Sequence, residues 1–350
     1  MSEERKLATV RTIAALDPIP DADAIELATI DGWQVVVRKN EFIVGQNVVY
    51  FEIDSWIPKA IAPFLCSEGK SRVYNGIEGE RLRTKKMRGQ ISQGLAMPTS
   101  ILMDGYFTLQ VGDDLTERLG IQKYEKPIPG EKNGFLGSAR GNFPSFIPKT
   151  DEERVQNLTR EVRHWCEFYT SWEVTEKLDG SSMTIYLGGD NEMHVCSRNY
   201  DIKPDSGGAF WQCVLENDLE AKLRELTHGN KIEAAVQGEL VGPGVQGNKY
   251  GLDKLHFFVY KIFDHGQRKY YNPVHTQNAC RAYGFDHVPL IEHDFYLKPG
   301  MTLAGILEMA NGMSVINPKV MREGLVFKSL TRNGSSFKAI SNEWLLHYKE

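Results

Sequence analysis

Residues 172–180 read WEVTEKLDG, an apolar run that reaches Lys177 and then an Asp-Gly pair. Tryptophan, valine and threonine favour extended backbone, and an Asp-Gly pair is typical of a tight turn, so the stretch predicts a strand, a turn and a second strand. Lysine has an ordinary pKa of about 10.4 and needs a special environment to act as a nucleophile. A lysine before Asp-Gly is by itself weak evidence of catalysis, because most such turns are ordinary hairpins.

Length and composition indicate a globular protein of two or three domains. The chain has 350 residues and a net charge of −5, which argues against non-specific coating of nucleic acid. Five cysteines without a C-x-x-C pair favour a reducing compartment. The first residues lack the apolar segment of a signal peptide, and apolar runs are strand-sized. We therefore expect a soluble, cytoplasmic protein with no membrane partner.

The N-terminal third has the rhythm of a small barrel, because short apolar runs alternate with turn signals. Strands are predicted over residues 7–16, 25–30, 33–39, 47–53 and 94–97, and the Asp-Gly pair at 31–32 predicts a hairpin between the second and third of them. A segment rich in proline and glycine, residues 127–148, predicts an interdomain linker.

Helices are predicted over residues 151–168, 208–227 and 302–311. In the first, Thr150 is a candidate cap and the acidic residues 151–153 suit the first turn. A second interpretation of Asp151, Glu152 and Arg154 is that they reach a functional site from the end of the linker.

An ordered series of short motifs follows Lys177. These are SRN at 197–199, QGELVG at 237–242, FFVYKIFD at 257–264, REGLVFK at 322–328 and FKAIS at 337–341. Each alone is typical of a buried strand, but their order resembles motifs I to V of the covalent nucleotidyltransferases, the superfamily of polynucleotide ligases and capping enzymes. The resemblance covers residues 172–350.

That resemblance implies a role for each motif residue. Lys177 would attack the α-phosphorus of ATP and carry AMP, and Lys338 would be the second catalytic residue, on the α-phosphate. Glu323 would be a ligand of Mg²⁺ or Mn²⁺. The implied nucleotide-binding residues are Glu176 on the adenine amino group, Arg198 on a ribose or 5′-phosphate, Glu239 on the ribose hydroxyls, Phe257 on the adenine face, and Lys328. Strand alternation places Phe258 opposite Phe257, so only one of them can stack on the base.

The order of the modules distinguishes members of the superfamily. DNA ligases and capping enzymes place an OB barrel after motif V, whereas only residues 339–350 follow Lys338 here. The stretches ADAIE at 22–26, GWQVVV at 32–37, FEIDS at 51–55 and FIPKTDE at 146–152 resemble the RNA ligase clade with an N-terminal OB module.

The implied fold class is α+β. An OB-like β-barrel over residues 1–126 and the linker precede an ATP-grasp-like or DNA-ligase-type nucleotidyltransferase domain, residues 149–350, of antiparallel sheets with flanking helices. The implied activity is ATP-dependent RNA ligation, which seals 3′-OH and 5′-PO4 ends through lysyl-AMP. We expect a monomer acting on nicked or broken RNA, with an RNA/DNA hybrid duplex as a further candidate substrate.

A basic segment lies within the barrel, where five of the eight residues 81–88 are cationic: Arg81, Arg83, Lys85, Lys86 and Arg88. It is predicted to bind a phosphate backbone or the triphosphate of ATP. The alternative is a solvated strand edge, where lysines discourage aggregation.

One position departs from the family pattern. Many ligases carry K-x-K in motif V, and Ser336 takes the place of the first lysine, with Lys328 as a candidate replacement. Two other functions stay open: a noncatalytic OB-type RNA-binding protein with a relic nucleotidyltransferase domain, and a DNA ligase with a rearranged barrel. The retention of Lys177, Glu239, Glu323 and Lys338 favours the RNA ligase.

Overall fold

The computed structural model describes residues 5–66, 72–102, 109–124, 139–204, 208–230, 232–331 and 334–348. The chain forms two compact units. The N-terminal unit comprises residues 3–126, 155–159 and 345–350, and the C-terminal unit comprises residues 1–2, 127–154 and 160–344.

The N-terminal unit is built from short antiparallel strands. They are β1 Ala8–Pro18, β2 Ile25–Ile30, β3 Trp33–Arg38, β4 Asn47–Phe51, β5 Ser55–Pro58, β6 Arg72–Tyr74, β7 Ile77–Arg81, β8 Lys85–Met87, β9 Gln90–Ser92, β10 Leu95–Pro98 and β11 Gln122–Lys123. One sheet has the order β10-β4-β1-β2-β3, a second has the order β11-β5-β7-β6, and β8 pairs with β9. Single 3₁₀ turns lie at Pro63–Leu65 and Thr99–Ile101.

Buried aromatic and aliphatic side chains fill both sheets of the N-terminal unit. Trp33 and Tyr50 lie in one cluster with ring centroids 5.8 Å apart, and Phe51 and Ile57 belong to another. The hairpin predicted around residues 31–32 is confirmed, since β2 and β3 pair there in continuous register. This region therefore folds as its alternating pattern predicts.

The C-terminal unit contains two larger sheets. Its strands are β12 Ala139–Asn142, β13 Glu153–Arg154, β14 Ser171–Lys177, β15 Ser181–Leu187, β16 Met193–Cys196, β17 Tyr200–Ile202, β18 Ala234–Val241, β19 His256–Asp264, β20 Lys269–Tyr270, β21 Asp286–His287, β22 Leu290–Tyr296, β23 Gly324–Ser329 and β24 Ser336–Ile340. The first sheet has the order β12-β17-β16-β15-β18-β19-β20, with β21 parallel to β19, and the second has the order β13-β24-β23-β14-β22.

Helices cover the first of these sheets and flank the second. They are α1 Thr159–Glu167, α2 Ala209–Glu216, α3 Leu219–Asn230, α4 Pro273–Tyr283, α5 Leu303–Ala310 and α6 Asn342–His347, with a 3₁₀ turn at Val155–Asn157. The apolar faces of α2, α3 and α4 share one core with β15, β18 and β19. Across the described part of the chain, none of the helices has the length and apolar character needed to cross a bilayer.

The turn after Lys177 joins the two sheets of the C-terminal unit and does not close a hairpin. Strand β14 belongs to one sheet and β15 to the other, so Lys177 lies where the chain passes between them. Gly180 is required in this passage, because a Cβ atom there would lie 2.3 Å from the carbonyl oxygen of Leu240.

Two helix predictions need correction. Residues 151–158 are not α-helical and α1 begins at Thr159, because side chains of the acidic run bind distant residues instead of capping a first turn. The helix predicted over 208–227 is two helices, interrupted at Asp218, whose φ is +52°. The helix predicted over 302–311 is confirmed as α5. Residues 127–138 of the predicted linker lie outside the described residues, and 139–142 form β12.

Candidate active site

The two sheets of the C-terminal unit border a cavity of about 260 Å³. Its lining is Thr150, Asp151, Glu152, Thr175, Glu176, Lys177, Leu178, Ser182, Arg198, Glu239, Tyr260, Val288, Val326, Lys328 and Lys338. The cavity therefore collects most of the residues that the motifs single out, although they are spread over more than 160 positions of the sequence, from 176 to 338.

Lys177 is surrounded by carboxylates. Its Nζ donates to Oε2 of Glu323 at 2.6 Å. Burial by itself would lower the pKa of Lys177, but the charges of Glu323, Glu239 and Asp179 outweigh burial and raise that pKa above its ordinary value. In the free protein the amine is thus a protonated cation, held in place for a reaction that requires its proton to leave.

Glu239 lies on β18 and faces the turn after Lys177. The backbone N–H of Gly180 donates to its Oε1 at 3.1 Å. Burial, together with the negative charges of Glu323 and Asp179, raises the pKa of Glu239 to about 8, even though Lys177 acts to lower it. Glu239 and Glu323 therefore share the ammonium group of Lys177, while Asp179 also pairs with Lys249.

This crowding predicts a pH-dependent effect of Glu239→Gln on stability in the absence of nucleotide and metal. The pKa of Glu239 in the folded state, about 8, is above the ordinary glutamate value, so its contribution to stability is lost as pH rises towards 8. Glutamine mimics the neutral acid. We expect the variant to melt at least about 2 °C above the parent at pH 8.5 and close to it at pH 5.

The matched control is Glu192→Gln, since that carboxylate is exposed. Thermal unfolding at the two pH values gives the comparison. An equal shift of melting temperature at pH 5 and pH 8.5 would contradict the raised pKa of Glu239.

Glu176 has one satisfied and one unsatisfied oxygen. The backbone N–H of Val315 donates to Oε2 at 2.7 Å, whereas Oε1 is buried with no hydrogen-bond partner in the described part of the chain. Burial raises the pKa of this carboxyl above its ordinary value. Glu176 lines the cavity, and the Ser314 side chain opposes the effect of burial on its pKa. A buried carboxylate at a cavity wall is suited to accept from an N–H group of a ligand.

Arg198 and the three lysines add positive charge to the same region. The Arg198 guanidinium pairs with the carboxylate of Asp151, and its Nη1 lies 3.3 Å from Oδ1. Lys328 is buried, donates to the carbonyl oxygen of Tyr260 at 2.6 Å, and has a pKa lowered by burial. Lys338 lies on β24 opposite Val326, which also lines the cavity.

Lys261 and Glu152 form a cluster that the motifs did not predict. The Nζ of Lys261 lies 2.6 Å from Oε1 of Glu152, and the hydroxyl of Ser336 donates to Oε2. Lys261 comes from β19, so a lysine distant in sequence brings its charge beside Ser336, where the family pattern has lysine. The PKTDE stretch directly after the proline-rich segment was the available signal, and it was open to two interpretations.

The structure corrects the role expected of Phe257. Phe257 pairs with Leu240 across the strands, is 2% exposed and lies in the core beneath the sheet. Phe258 pairs with Glu239 and so shares the face that carries the site, where it packs with Leu178 and Val288 of the cavity wall. Of the adjacent rings Phe257 and Phe258, alternation leaves Phe258 on the face where Tyr260 also lines the cavity.

The basic segment of the N-terminal unit is divided between two environments. Arg81 donates to Asp54 at 2.6 Å and its guanidinium lies 4.7 Å from the ring centre of Tyr124, so this residue holds the unit together. Arg83 is half-buried. Lys85, Lys86 and Arg88 are exposed on the β8–β9 hairpin, which presents a compact cationic tip.

The residues around Lys177 suit a hard divalent cation. Among the described residues no group of three or more His, Cys, Asp or Glu side chains is already arranged to hold a metal. Glu323 and Glu239 nevertheless supply oxygen donors beside Lys177, and after burial, which is the main cause, the negative charge of Glu323 also raises the pKa of Glu239. A bound cation would relieve the repulsion between these two carboxylates.

Comparisons with known proteins agree with this geometry. The profile of an OB-fold domain matches residues 7–99, and that of the RNA ligase family matches residues 170–340. No curated protein sequence matches the chain.

Solved structures of Naegleria gruberi RNA ligase are similar over the whole chain. A mutant with AMP and Mn, a mutant with ATP and Mn, and the protein with PPi are each 40% identical, cover 99% of both chains and give a TM-score of 0.87. The predicted α+β fold, with an OB-fold module ahead of the larger sheet-rich domain, is confirmed by these similarities.

Proposed function

Because this chain belongs to the RNA ligase family, we propose that it seals 3′-OH and 5′-PO4 ends of RNA at the expense of ATP, with Lys177 as the nucleophile. The observation that carries the assignment is the position of Lys177, in a cavity with the side chains expected to bind the nucleotide. The substrate we propose is nicked or broken RNA, including RNA/DNA hybrid duplexes, bound by a cytoplasmic monomer.

The proposed ligation has three steps. The unprotonated Nζ of Lys177 attacks the α-phosphorus of ATP; an N–P bond forms and pyrophosphate leaves. An oxygen of the RNA 5′-phosphate then attacks the same phosphorus, and Lys177 leaves. Finally the 3′-OH loses its proton, attacks the adenylylated 5′-phosphate and releases AMP, which forms the phosphodiester bond.

The first step requires Lys177 to lose the proton that its carboxylate neighbours retain. We infer that Glu323 must be drawn away from Lys177 before the amine can react, since this ion pair raises the pKa. Glu323 would then hold Mg²⁺ or Mn²⁺, whose positive charge would offset the negative charge of the phosphates. Lys338 would lie on the α-phosphate, where its charge also opposes protonation of Lys177.

Recognition of the base falls to Glu176 and Phe258. The unpaired Oε1 of Glu176 would accept from the adenine amino group, a contact that guanine lacks at that position. Glu239 would accept from the ribose hydroxyls, with Arg198 and Lys328 near the phosphate end of the nucleotide.

Phe258→Ala should weaken ATP binding without unfolding the protein. Phe257→Ala should destabilise the fold without a specific effect on ATP binding. Loss of a stacked ring costs about 1–3 kcal/mol, so we expect KM for ATP to rise fivefold to about a hundredfold in the first variant. Truncating the buried Phe257 should lower the free energy of unfolding by about 3–5 kcal/mol. Steady-state adenylylation and denaturant unfolding of both variants separate the roles, and a KM change confined to Phe257→Ala would restore the original prediction.

The exposed tip of the β8–β9 hairpin is our candidate for an RNA contact in the N-terminal unit. K85A/K86A/R88A should weaken RNA binding. The slope of the logarithm of the binding constant against the logarithm of salt concentration should become less steep by about 0.7 for each lost phosphate contact. Arg38→Ala with Lys39→Ala, two other exposed cations of this unit, is the control. Anisotropy titrations across salt concentrations measure both quantities, and an unchanged slope would identify the tip as a solvated strand edge.

The function itself is tested with labelled ATP and magnesium, followed by nicked duplexes of each RNA and DNA combination. We expect labelled protein, then labelled RNA, then a sealed strand. A folded protein that binds RNA but takes no label would be a relic nucleotidyltransferase, and sealing only of all-DNA nicks would make it a DNA ligase.

A further inference from the structure

A second cavity, of about 660 Å³, adjoins the first in the C-terminal unit. The two cavities share Thr150, Asp151 and Glu152, the residues that follow the proline-rich segment. Neither Lys177 nor Glu239 lines the second cavity. It is thus continuous with the nucleotide site but lies outside the residues assigned to ATP.

The lining of the second cavity has a positive net charge, because it holds three cationic and two anionic side chains. Lys149, Lys261 and Arg268 line it, and Lys149 and Arg268 are exposed. Its two carboxylates are each paired with a cation, Asp151 with Arg198 and Glu152 with Lys261. The remaining field is that of a site for phosphate groups.

Aromatic rings lie among these cations. Phe146 lines the cavity and is 49% exposed, with its ring edge-on to Tyr186 at 5.6 Å. The ammonium of Lys149 lies 6.0 Å from the ring centre of Phe143 and donates to Asn199 at 3.0 Å. An exposed ring beside exposed cations is typical of surfaces that bind single-stranded nucleic acid, where a base stacks on the ring while phosphates pair with the cations.

We propose that this second cavity binds the RNA strand whose 5′-phosphate receives AMP, an inference that rests on the proposed ligase function. Lys149 and Arg268 pair with its phosphodiester groups, and Phe146 stacks on one of its bases. Pyrophosphate alone does not account for the site, because it has no base for Phe146. The shared wall of residues 150–152 places the bound strand beside Lys177-linked AMP.

The test uses two full-length variants, Lys149→Glu with Arg268→Glu, and Phe146→Ala. All three side chains are exposed, so the fold should survive. Fluorescence anisotropy with a short single-stranded 5′-phosphorylated RNA should show that Kd rises about tenfold or more in the Lys149→Glu, Arg268→Glu variant. The slope of the logarithm of the binding constant against the logarithm of salt concentration should become less steep by about 1.4, since two phosphate contacts are lost. Phe146→Ala should raise Kd about tenfold with the slope unchanged.

Labelling by ATP without RNA should stay within twofold of the parent in both variants. The control is Lys254→Glu with Arg281→Glu, the same charge change at exposed positions that line neither cavity. If labelling falls as much as RNA binding, the cavity serves ATP, and if RNA affinity is unchanged the inference is wrong. A parent protein that takes no label at all would instead overturn the proposed function.

Discussion

Replacing Lys177 with methionine should abolish transfer of AMP from ATP to the protein. Methionine retains the length and apolar stem of the side chain but has no amine to form the N–P bond. The variant should fold, because the Lys177 side chain is partly exposed at the cavity wall, and Glu239, with its pKa raised to about 8, can take up a proton to offset the lost positive charge. Incubation with labelled ATP and magnesium, followed by denaturing electrophoresis, measures the covalent label directly.

Two comparisons make this result specific to Lys177. Lys254→Met removes an exposed lysine and should label like the parent. A nick that already carries 5′-AMP should still be sealed by Lys177→Met, since bond formation needs no lysine nucleophile. Label retained by Lys177→Met would transfer the nucleophile's role to another side chain.

Glu323→Ala should eliminate adenylylation at every magnesium or manganese concentration. The substitution has two opposed effects, which makes the outcome informative. Removing the carboxylate that lies 2.6 Å from Lys177 should lower the pKa of the amine, which by itself would speed the attack. Removing a ligand for the cation should stop the reaction, because Lys338 alone cannot offset the charge on the α-phosphate and pyrophosphate.

The pH profile and a chelator distinguish these effects. The control Glu292→Ala removes an exposed carboxylate and should leave the rate unchanged. Excess chelator should reduce labelling of the parent to the level of Glu323→Ala. If Glu323→Ala were labelled faster than the parent near neutral pH, or if chelator left labelling of the parent unchanged, Glu323 would not be a metal ligand. Its role would then be only to hold Lys177 in place.

Local patterns predicted several strands closely, because strand propensity and turn chemistry depend on neighbours in sequence. The strand before Lys177 and the hairpin at residues 31–32 follow from alternation and turn chemistry. Alternation also predicted that only one of Phe257 and Phe258 faces the base, but not which one. That choice depends on pairing with Glu239 and Leu240, which a single strand cannot reveal.

Contacts through space account for what the sequence could not supply. The acidic residues after Thr150 suit the start of a helix, yet Asp151 pairs with Arg198 of the β16–β17 turn and Glu152 pairs with Lys261 of β19. At position 336 this chain has serine where the family pattern has lysine. Lys261 of β19 brings a positive charge to this place, because it pairs with Glu152, which also accepts a hydrogen bond from Ser336. At residues 151–152, tertiary ion pairs outweighed the local preference for a helix.

The ion pair between Lys177 and Glu323 should also limit side reactions of the Lys177 amine. An uncharged lysine in an accessible pocket condenses with aldehydes and is carbamylated by cyanate, and either modification would permanently inactivate a ligase. A lysine kept as an ammonium ion until its partner is displaced reacts more slowly with such electrophiles. We therefore expect the ion pair to protect Lys177 from these modifications while no nucleotide is bound.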